Sequence, residues 1–531
     1  MAEVGRVWLG CGMAASMLCL AALARLGQPA SALAAPPGLA EPVERSADGT
    51  TYDAIDMYLE RELPRLKVPG AALAVVDGDR IVHTHGFGQA DARGDAPLPQ
   101  TPFFIGSITK SFTALAVMQL VEAGAVDLDA PVQRYLPWFR VAAAQASARM
   151  TVRHLLNQTS GLPMSTGWTP LADFDSRPDA SERQARALAT QRLNRPVGAA
   201  FEYSNMNYNL LGLIVEAVSG QRYADYVRTR ILQPLDMGHS YTDPAEAQRS
   251  RLALGHRYWF GQPIADEDDQ FPLGSLASGQ LVSTSEDLSH WLIAHLNGGR
   301  YGGAQVLSPA GIDEMHRPAV DFSLMGQSGQ YGMGWFVSTQ GGRQVVWHDG
   351  VVPAYFGYMA LLPGQQRGLV LLFNADHFLM SNTALVEVGM GAAALLAGGQ
   401  PDPVRWGGIM PWALRSLLLV PLLQVLGVVL TLRRLRRWRR APELRPSRGR
   451  TWALHVLLPL MPNALLVAAP LGLASSSLRG FLLYGPDFTW TALVCGGFAG
   501  LWMFVRSWLV LGHCKEDRQQ RSVDMRRPRA A

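Results

Sequence analysis

Cysteine is almost absent from this chain. Its four cysteines, Cys11, Cys19, Cys495 and Cys514, lie in apolar stretches near the two ends, and none occurs between residues 20 and 494. The long segment between them therefore has no disulfide framework, no thiol nucleophile and no cysteine-based metal site.

Lysine is also scarce, although the chain is rich in arginine. Only Lys67, Lys110 and Lys515 are lysines among the 47 basic residues. Arginine supplies a permanent positive charge, whereas a lysine amine can lose its proton when its surroundings lower its pKa. Lys110 lies inside an apolar stretch, so it is a candidate catalytic residue.

The chain is too long and too apolar for one ordinary soluble domain. It has 531 residues, of which 48% are hydrophobic and only 17% charged. Residues 1–411 hold 29 basic and 38 acidic residues, whereas residues 412–531 hold 18 basic and 5 acidic ones. The basic excess lies beside long apolar segments. It therefore indicates the orientation of membrane spans rather than a surface that binds nucleic acid.

The N-terminus has the pattern of an export signal. An apolar run at residues 7–24 follows Arg6, and the small residues Ala32-Leu-Ala34 come shortly before Pro36. This pattern predicts a signal peptide over residues 1–34. The alternative is an uncleaved N-terminal anchor, and either one exports the segment that follows.

Residues 51–396 have the pattern of one globular α/β (α+β) domain. Strand-like segments occur near both of its ends, and helical or loop-like segments lie between them. We therefore predict an antiparallel sheet that is assembled from both ends of the domain and flanked by helices. The predicted elements are a helix at 52–63 and strands at 71–76, 81–85, 345–347, 358–362 and 368–373.

The C-terminal part predicts three membrane-spanning helices, at residues 412–432, 452–473 and 490–511, because each apolar run is long enough to cross a bilayer. The loop 433–450 holds nine arginines and one glutamate, and the tail 512–531 is basic again. By the positive-inside rule, the loop and tail are cytoplasmic and the globular domain lies outside. The lipid bilayer is thus an expected partner.

A serine and a lysine three residues apart form the strongest candidate for catalysis. Ser107 and Lys110 lie at the start of a predicted helix, so they share one face and the amine can reach the hydroxyl. Apolar surroundings lower the pKa of such an amine until it can act as a base toward the serine. The alternative is a helix cap followed by a surface lysine, a role that arginine fills elsewhere in this chain.

Two further motifs follow. Tyr203-Ser-Asn205 precedes an apolar helical stretch, and there a tyrosine can pass a proton to a leaving group while an amide orients the substrate. His348-Asp-Gly350 ends a predicted strand, where a glycine lets a substrate lie against the strand edge. Taken singly, these motifs also fit a buried tyrosine and an ordinary turn.

As an ordered set, the three motifs resemble those of the class C β-lactamase, penicillin-binding-protein and S12 peptidase superfamily. The resemblance spans residues 51–376 and implies a serine hydrolase that cleaves an amide or ester bond of a small-molecule or peptide substrate through an acyl-enzyme. It implies that Ser107 is acylated, that Lys110 and Tyr203 share the general-base and general-acid work, and that no metal or cofactor takes part. The backbone of Ser107 and Val351 would form the oxyanion hole.

The resemblance also implies the substrate-binding residues Asn205, His348, Gly350 and Val351. In β-lactamases and transpeptidases the third motif usually opens with a lysine, whose fixed charge receives the substrate carboxylate. Here it opens with His348, which is mostly neutral near pH 7. This departure favours the esterases and D-amino-acid peptidases of the superfamily, without deciding between them.

The overall architecture is similar to that of prodrug-activating peptidases, in which such a domain precedes three membrane spans. That similarity implies a bacterial inner-membrane protein with its catalytic domain on the periplasmic, extracytoplasmic side. The alternative is a penicillin-recognising sensor or binding protein with little turnover. The predicted cytoplasmic segments are, however, too short to hold a signalling domain.

His83 and His85 alternate along a predicted strand, so they lie on one of its faces. Two histidines in this arrangement could begin a metal site, but no third ligand is apparent in the sequence. We therefore predict an exposed hairpin face at this position and no metal.

Overall fold

The computed structural model describes residues 50–167, 175, 177–266, 272–324, 326–340, 342–407, 409–441, 450, 452–476 and 478–524. The predicted signal peptide at 1–34 lies outside the described residues, as do parts of the predicted arginine-rich loop and of the tail. The chain divides into a larger unit, residues 50–412 with Leu483–Gly485, and a smaller unit, residues 413–482 with 486–524.

An eight-stranded sheet forms the centre of the larger unit. The strands of this unit are β1 (Gly70–Asp77), β2 (Arg80–Gly88), β3 (Phe103–Phe104), β4 (His256–Trp259), β5 (Gln262–Ala265), β6 (Val282–Ser283), β7 (Arg300–Tyr301), β8 (Ala304–Gln305), β9 (Val320–Leu324), β10 (Gln327–Tyr331), β11 (Phe336–Gln340), β12 (Arg343–Val352), β13 (Tyr355–Leu362), β14 (Arg367–Phe373) and β15 (Ala375–Asp376). The order in the sheet is β2-β1-β14-β13-β12-β11-β10-β9, and all neighbours are antiparallel. The first two strands lie beside the last long one, which confirms the predicted antiparallel sheet built from both ends.

Helices connect and cover these strands. The helices before residue 400 are α1 (Thr50–Leu66), α2 (Thr109–Glu122), α3 (Ala144–Arg149), α4 (Val152–Leu156), α5 (Ala180–Arg186), α6 (Asn205–Ser219), α7 (Tyr223–Val227), α8 (Pro244–Arg249), α9 (Leu276–Gly279), α10 (Ser285–Leu296), α11 (Pro309–His316), α12 (Phe378–Met380) and α13 (Val386–Leu396). After residue 400 come α14 (Met410–Ser416), α15 (Leu419–Arg440), α16 (Leu458–Ser476), α17 (Leu478–Tyr484) and α18 (Pro486–Asp524).

Both faces of the central strands are buried, which explains why the sequence of β14 is a continuous apolar run. Val370 and Leu372 belong to the core that also contains Leu292 of α10. On the neighbouring strand, the ring of Tyr358 lies against Gly389 of α13, where an added Cβ would be 2.4 Å from the ring. Helix α10 therefore covers one face and α13 the other.

The apolar helices near the C-terminus include Met410–Arg440 and Pro486–Val510, each long and apolar enough to cross a membrane, and the shorter Leu458–Gly472. They overlap the three segments that the sequence predicts as spans, although Leu458–Gly472 is shorter than the predicted segment 452–473. Phe378–Leu396 has a similar length and hydropathy, but most of its apolar part is buried in the larger unit. That segment therefore belongs to the core of the domain.

Candidate active site

Ser107 lies in the single helical turn Gly106–Ile108, which leads directly into α2. The turn depends on Gly106, whose φ of +53° lies in the left-handed region that favours glycine. A Cβ on Gly106 would also lie 2.4 Å from the backbone nitrogen of Val351. Helix α2 and strand β12 thus approach each other so closely that the serine is fixed at their junction.

Ser107, Lys110 and Tyr203 form one hydrogen-bonded cluster. The Lys110 Nζ atom lies 2.8 Å from Ser107 Oγ, and the Tyr203 hydroxyl lies 2.9 Å from the same oxygen. Lys110 also donates to the carbonyl oxygen of Ser278 at 2.6 Å, and its Nζ lies 5.0 Å from the centre of the Tyr203 ring. The structure therefore brings together the nucleophile and both proton carriers that the sequence predicts, at distances suited to proton transfer.

Burial shifts the pKa values of Lys110 and Tyr203, the two predicted proton carriers. Lys110 has no exposed surface, and burial lowers the pKa of its amine well below the usual value, although the Asp349 carboxyl opposes this shift. Burial raises the pKa of Tyr203 well above its usual value, assisted by Tyr331 and opposed by the hydrogen bond to Ser107. Burial therefore favours the form of the Lys110 amine that can accept a proton and the form of the Tyr203 phenol that can donate one.

Gln158 positions Tyr203, although sequence reasoning did not single it out. Its side-chain oxygen accepts from the backbone N–H of Ser204 at 2.9 Å and also from Asn207. Its backbone carbonyl accepts from the N–H of Glu202 at 2.8 Å. The residues on both sides of Tyr203 are thus tied to one buried glutamine, which holds the tyrosine loop in front of α6.

Asn205 is the first residue of α6, and it lines the cavity beside Ser107. Its side-chain oxygen is buried and makes no hydrogen bond to any residue within the described part of the chain. Buried polar atoms normally have partners. The predicted substrate contact of Asn205 would supply one.

Gly350 lets β12 pack directly against the turn that contains Ser107. A Cβ on Gly350 would lie 1.9 Å from the carbonyl oxygen of Ile105 and 2.9 Å from the backbone nitrogen of Ser107. The next residue, Val351, lines the same cavity as Ser107. The two backbone N–H groups that the family resemblance assigns to an oxyanion hole therefore belong to adjoining segments.

His348 is placed differently from the sequence expectation. Its side chain is only 1% exposed, it packs against Phe336 and Tyr331, and it is absent from the described residues that line the cavity. Burial lowers the pKa of its imidazole to about 3, and the Lys110 amine, when it is charged, acts in the same direction. His348 is therefore a neutral residue behind the cavity wall, and its position argues against direct contact with substrate.

Asp349 occupies the cavity in its place, because consecutive residues of a strand point to opposite faces. Its carboxyl side chain is 22% exposed and lines the cavity with Ser107. Burial raises the pKa of this carboxyl to about 6, and a hydrogen bond from the backbone of Asp349 itself opposes the increase, as does the Lys110 amine when it is charged. Sequence reasoning missed Asp349, although the alternation within the third motif was a signal that could have found it.

The cavity beside Ser107 has a volume of about 120 Å³. Most of its wall is apolar or aromatic, and Asp349 is the charged group among the described residues that line it. None of those residues is a lysine, an arginine or a histidine. The lining residues are Ser107, Met164, Tyr203, Asn205, Leu324, Phe336, Asp349, Val351, Phe378, Asn382 and Tyr484.

An antiparallel sheet with a serine at the start of a helix, next to a buried lysine and a tyrosine, defines a serine hydrolase of the penicillin-recognising type. A family model described as Beta-lactamase matches residues 56–388. The chain belongs to this family.

Two similar proteins support this family assignment. Penicillin-binding protein 4 of Amycolatopsis lactamdurans is 34% identical over 319 residues, which cover 58% of this chain and 81% of that protein. Protein flp of Staphylococcus aureus (strain COL) is 29% identical over 324 residues, or 61% of this chain and 63% of that protein. The chain thus spans less than two thirds of the length of the flp proteins that it matches.

Solved structures show the same likeness. The octameric penicillin-binding protein homologue from Pyrococcus abyssi aligns with a TM-score of 0.58 and 29% identity, over 66% of this chain and 78% of that one. The D-amino acid amidase from Ochrobactrum anthropi SV3, complexed with L-phenylalanine amide, aligns with a TM-score of 0.55 and 26% identity, over 66% and 99% respectively. The neighbours thus include a penicillin-binding protein homologue and an amide hydrolase.

Proposed function

We propose that this protein is a membrane-anchored, extracytoplasmic serine hydrolase that cleaves an amide or ester bond through an acyl-enzyme on Ser107. The observation that carries the proposal is the buried cluster in which both Lys110 Nζ and the Tyr203 hydroxyl lie within 2.9 Å of Ser107 Oγ. A serine hydroxyl is a weak nucleophile until a base removes its proton. Burial lowers the pKa of the Lys110 amine, which favours the neutral form that can act as this base.

In the acylation step, Ser107, Lys110 and Tyr203 act one after another. The neutral Lys110 amine takes the proton of Ser107 while Oγ bonds to the substrate carbonyl carbon. Backbone N–H groups of Ser107 and Val351 stabilise the negative charge on the carbonyl oxygen, and each such donor is worth about 10²–10³ in rate. Tyr203 then donates its proton to the leaving nitrogen or oxygen as that bond breaks, and the proton held by Lys110 restores the phenol.

Deacylation repeats the chemistry with water as the nucleophile. The amine of Lys110, assisted by Tyr203, removes a proton from the water as its oxygen bonds to the acyl carbon. Collapse of the second tetrahedral intermediate breaks the bond to Ser107 Oγ, which recovers a proton. The net reaction adds one water to one amide or ester and yields a carboxylic acid and an amine or alcohol.

The charge of the cavity supports a substrate class. An ionised Asp349 attracts a substrate ammonium group and repels a carboxylate, and the described lining contains no cation that would counter it. Met164, Leu324 and Phe378 offer an apolar surface for a side chain. An amino-acid amide or ester with a free α-amine and an apolar side chain fits these features, and the D-amino acid amidase neighbours favour the D configuration.

A matched substrate series tests this proposal. Detergent-solubilised full-length protein would be assayed with D-phenylalanine amide, its L enantiomer, its N-acetyl derivative and its N-succinyl derivative, which carries a carboxylate. We expect hydrolysis to be fastest for the free D-amine and slowest for the succinylated compound, and to be absent in Ser107→Ala. Equal rates for the cationic and anionic members would contradict the substrate class, while no acylation by any amide or ester would contradict the hydrolase itself.

A further inference from the structure

Strand β2, at the edge of the sheet, carries side chains of a second cluster that could bind a ligand. His83 and His85 belong to the alternating set that is partly buried, whereas Val82 and Thr84 between them are exposed. A register shift between β1 and β2 at Val75 leaves Val82 without a partner directly before His83. Irregularities of this kind often redirect side chains at sheet edges.

Helix α1 supplies the carboxylate that the sequence did not reveal. His83 Nε2 lies 3.0 Å from both side-chain oxygens of Asp56, and His85 Nδ1 lies 2.7 Å from Asp56 Oδ2. The three possible ligand atoms all lie within 4.8 Å of one another. Ligand atoms at zinc–ligand distances of about 2.0–2.2 Å are roughly 3.3 Å apart in a tetrahedral site, so small adjustments would bring these atoms to metal-binding positions.

Both imidazoles are held by aromatic neighbours. The His83 ring stacks on Tyr52, which lies one helical turn before Asp56, with 5.6 Å between the ring centres and an angle of 8°. The His85 ring stacks on Phe87 at 4.2 Å and 15°. The side chains of Asp56, His83 and His85 are 16%, 22% and 36% exposed, so the cluster is partly buried yet reachable from solvent.

We propose that Asp56, His83 and His85 bind a divalent transition-metal ion, with zinc the best match to two imidazoles and one carboxylate. The ion would replace the hydrogen bonds that now join the three side chains, and it would displace any proton shared between them. It would tie the first two turns of α1 to the edge strand. The role is structural and is separate from the hydrolysis at Ser107.

The geometry leaves room for a fourth ligand. Glu60 lies one turn beyond Asp56 on α1, and it lines a cavity of about 310 Å³ together with His85. Either the Glu60 carboxylate, after a change of rotamer, or a water molecule in that cavity completes four-coordination. Glu60→Gln is therefore expected to weaken the site less than loss of any of the three primary ligands.

The test is a zinc titration of the full-length protein, purified in detergent without a polyhistidine tag and freed of metal with EDTA. Isothermal titration calorimetry is expected to show one saturable Zn²⁺ site with micromolar or tighter affinity. His83→Gln and the isosteric Asp56→Asn should each weaken it at least about tenfold, since loss of even outer-shell partners costs 10–100-fold in metal proteins. His239→Gln is the matched control, because His239 lies near Asp287 but its imidazole is outside the cluster and 52% exposed.

Cobalt gives a second measurement that does not depend on a variant folding well. Co²⁺ bound to wild-type protein by two nitrogens and a carboxylate should show visible absorption bands that saturate at one equivalent and disappear on addition of Zn²⁺.

Hydrolysis of an activated ester should be unchanged in His83→Gln, which also reports that the domain is folded. A wild-type protein without a saturable site, or a site that keeps its affinity in both His83→Gln and Asp56→Asn, would overturn the proposal.

Discussion

Among single residues, Lys110 is the one on which the proposed chemistry depends most. A fully buried amine is unfavourable in its charged form, because burial removes the water that stabilises the charge. The chain otherwise uses arginine almost throughout. Lys110 is one of only three lysines, and its amine lies 2.8 Å from the hydroxyl of Ser107, the predicted nucleophile.

Lys110→Arg separates a base from a mere positive charge. The guanidinium stays protonated at any working pH, so it cannot take the proton of Ser107. We expect kcat/KM for an activated ester to fall at least about a hundredfold, the low end of what a positioned acid or base contributes. Lys67→Arg, the same exchange outside the cavity, should leave the rate near that of the wild type. Near-wild-type turnover by a folded Lys110→Arg variant would remove this residue as the base.

Asp349 predicts a pH-dependent substrate preference. Its carboxyl, with the pKa raised to about 6, is protonated below that pH and ionised above it. The ratio of kcat/KM for D-phenylalanine amide to that for its N-acetyl derivative should therefore rise as pH increases through about 6, by at least about tenfold given the strength of charge pairs near a protein surface. Taking a ratio cancels the titration of Lys110, which both substrates require.

Asp349→Asn is the control for that preference. The amide has nearly the same shape and no charge, so the ratio should become flat between pH 5 and 7, apart from any titration of the substrate itself. Parallel pH profiles in the wild type and the variant would show that Asp349 does not recognise the substrate amine.

At the scale of elements, the site depends on how closely β12 approaches the turn before α2. Gly106 and Gly350 face each other across that contact, and a side chain on either would meet backbone atoms of the other segment. Backbone atoms cannot move aside as a flexible side chain can. The two elements must therefore separate if either glycine is replaced, and the predicted oxyanion hole would open with them.

Gly350→Ala tests this contact. The added methyl would lie 1.9 Å from the carbonyl oxygen of Ile105, so the strand must shift away from Ser107. We expect kcat to fall by about 10²–10³, as when one oxyanion donor is lost. Gly364→Ala is the matched control, because nothing lies within 4 Å of its added Cβ. A Gly350→Ala variant as active as the control would mean that the close approach is not required.

Some elements could be predicted from the sequence, and others could not. Strands β1 and β14 are continuous apolar runs because both of their faces are buried, so they were found to within a residue or two. Strands β9 and β10 are short, partly exposed and polar, and they pair mainly with each other at the edge of the sheet. The sequences of β9 and β10 therefore do not predict strands.

The same distinction applies to the candidate site. Ser107 and Lys110 are three residues apart on one helical face, so local spacing alone predicts their contact. Asp56 reaches His83 from 27 positions away in the sequence, and only the packing of α1 on β2 brings them together. The alternation within the third motif places Asp349 on the opposite face of the strand from His348, but only the packing of β12 decides which of the two side chains faces the cavity.

At the scale of the whole molecule, the charge pattern predicts how the chain crosses the membrane. Loop 433–450 holds nine arginines and one glutamate between two apolar segments. Arginine-rich loops are retained in the cytoplasm. A fluorescent protein fused after Ala531 should therefore fold and fluoresce in the cytoplasm, whereas alkaline phosphatase fused after Asp402 should be active because it is exported. The opposite pattern for the two fusions would reverse the proposed orientation.

The most direct test of the central claim is to trap the covalent enzyme. A serine-directed fluorophosphonate applied to detergent-solubilised protein should modify one residue, and mass spectrometry of the digested protein should locate the adduct on Ser107. The adduct should be absent in Ser107→Ala and strongly reduced in Lys110→Arg, because only the cluster around Ser107 lowers the barrier to attack. Undiminished labelling of Ser107→Ala, or an adduct on another residue of the wild type, would contradict the account.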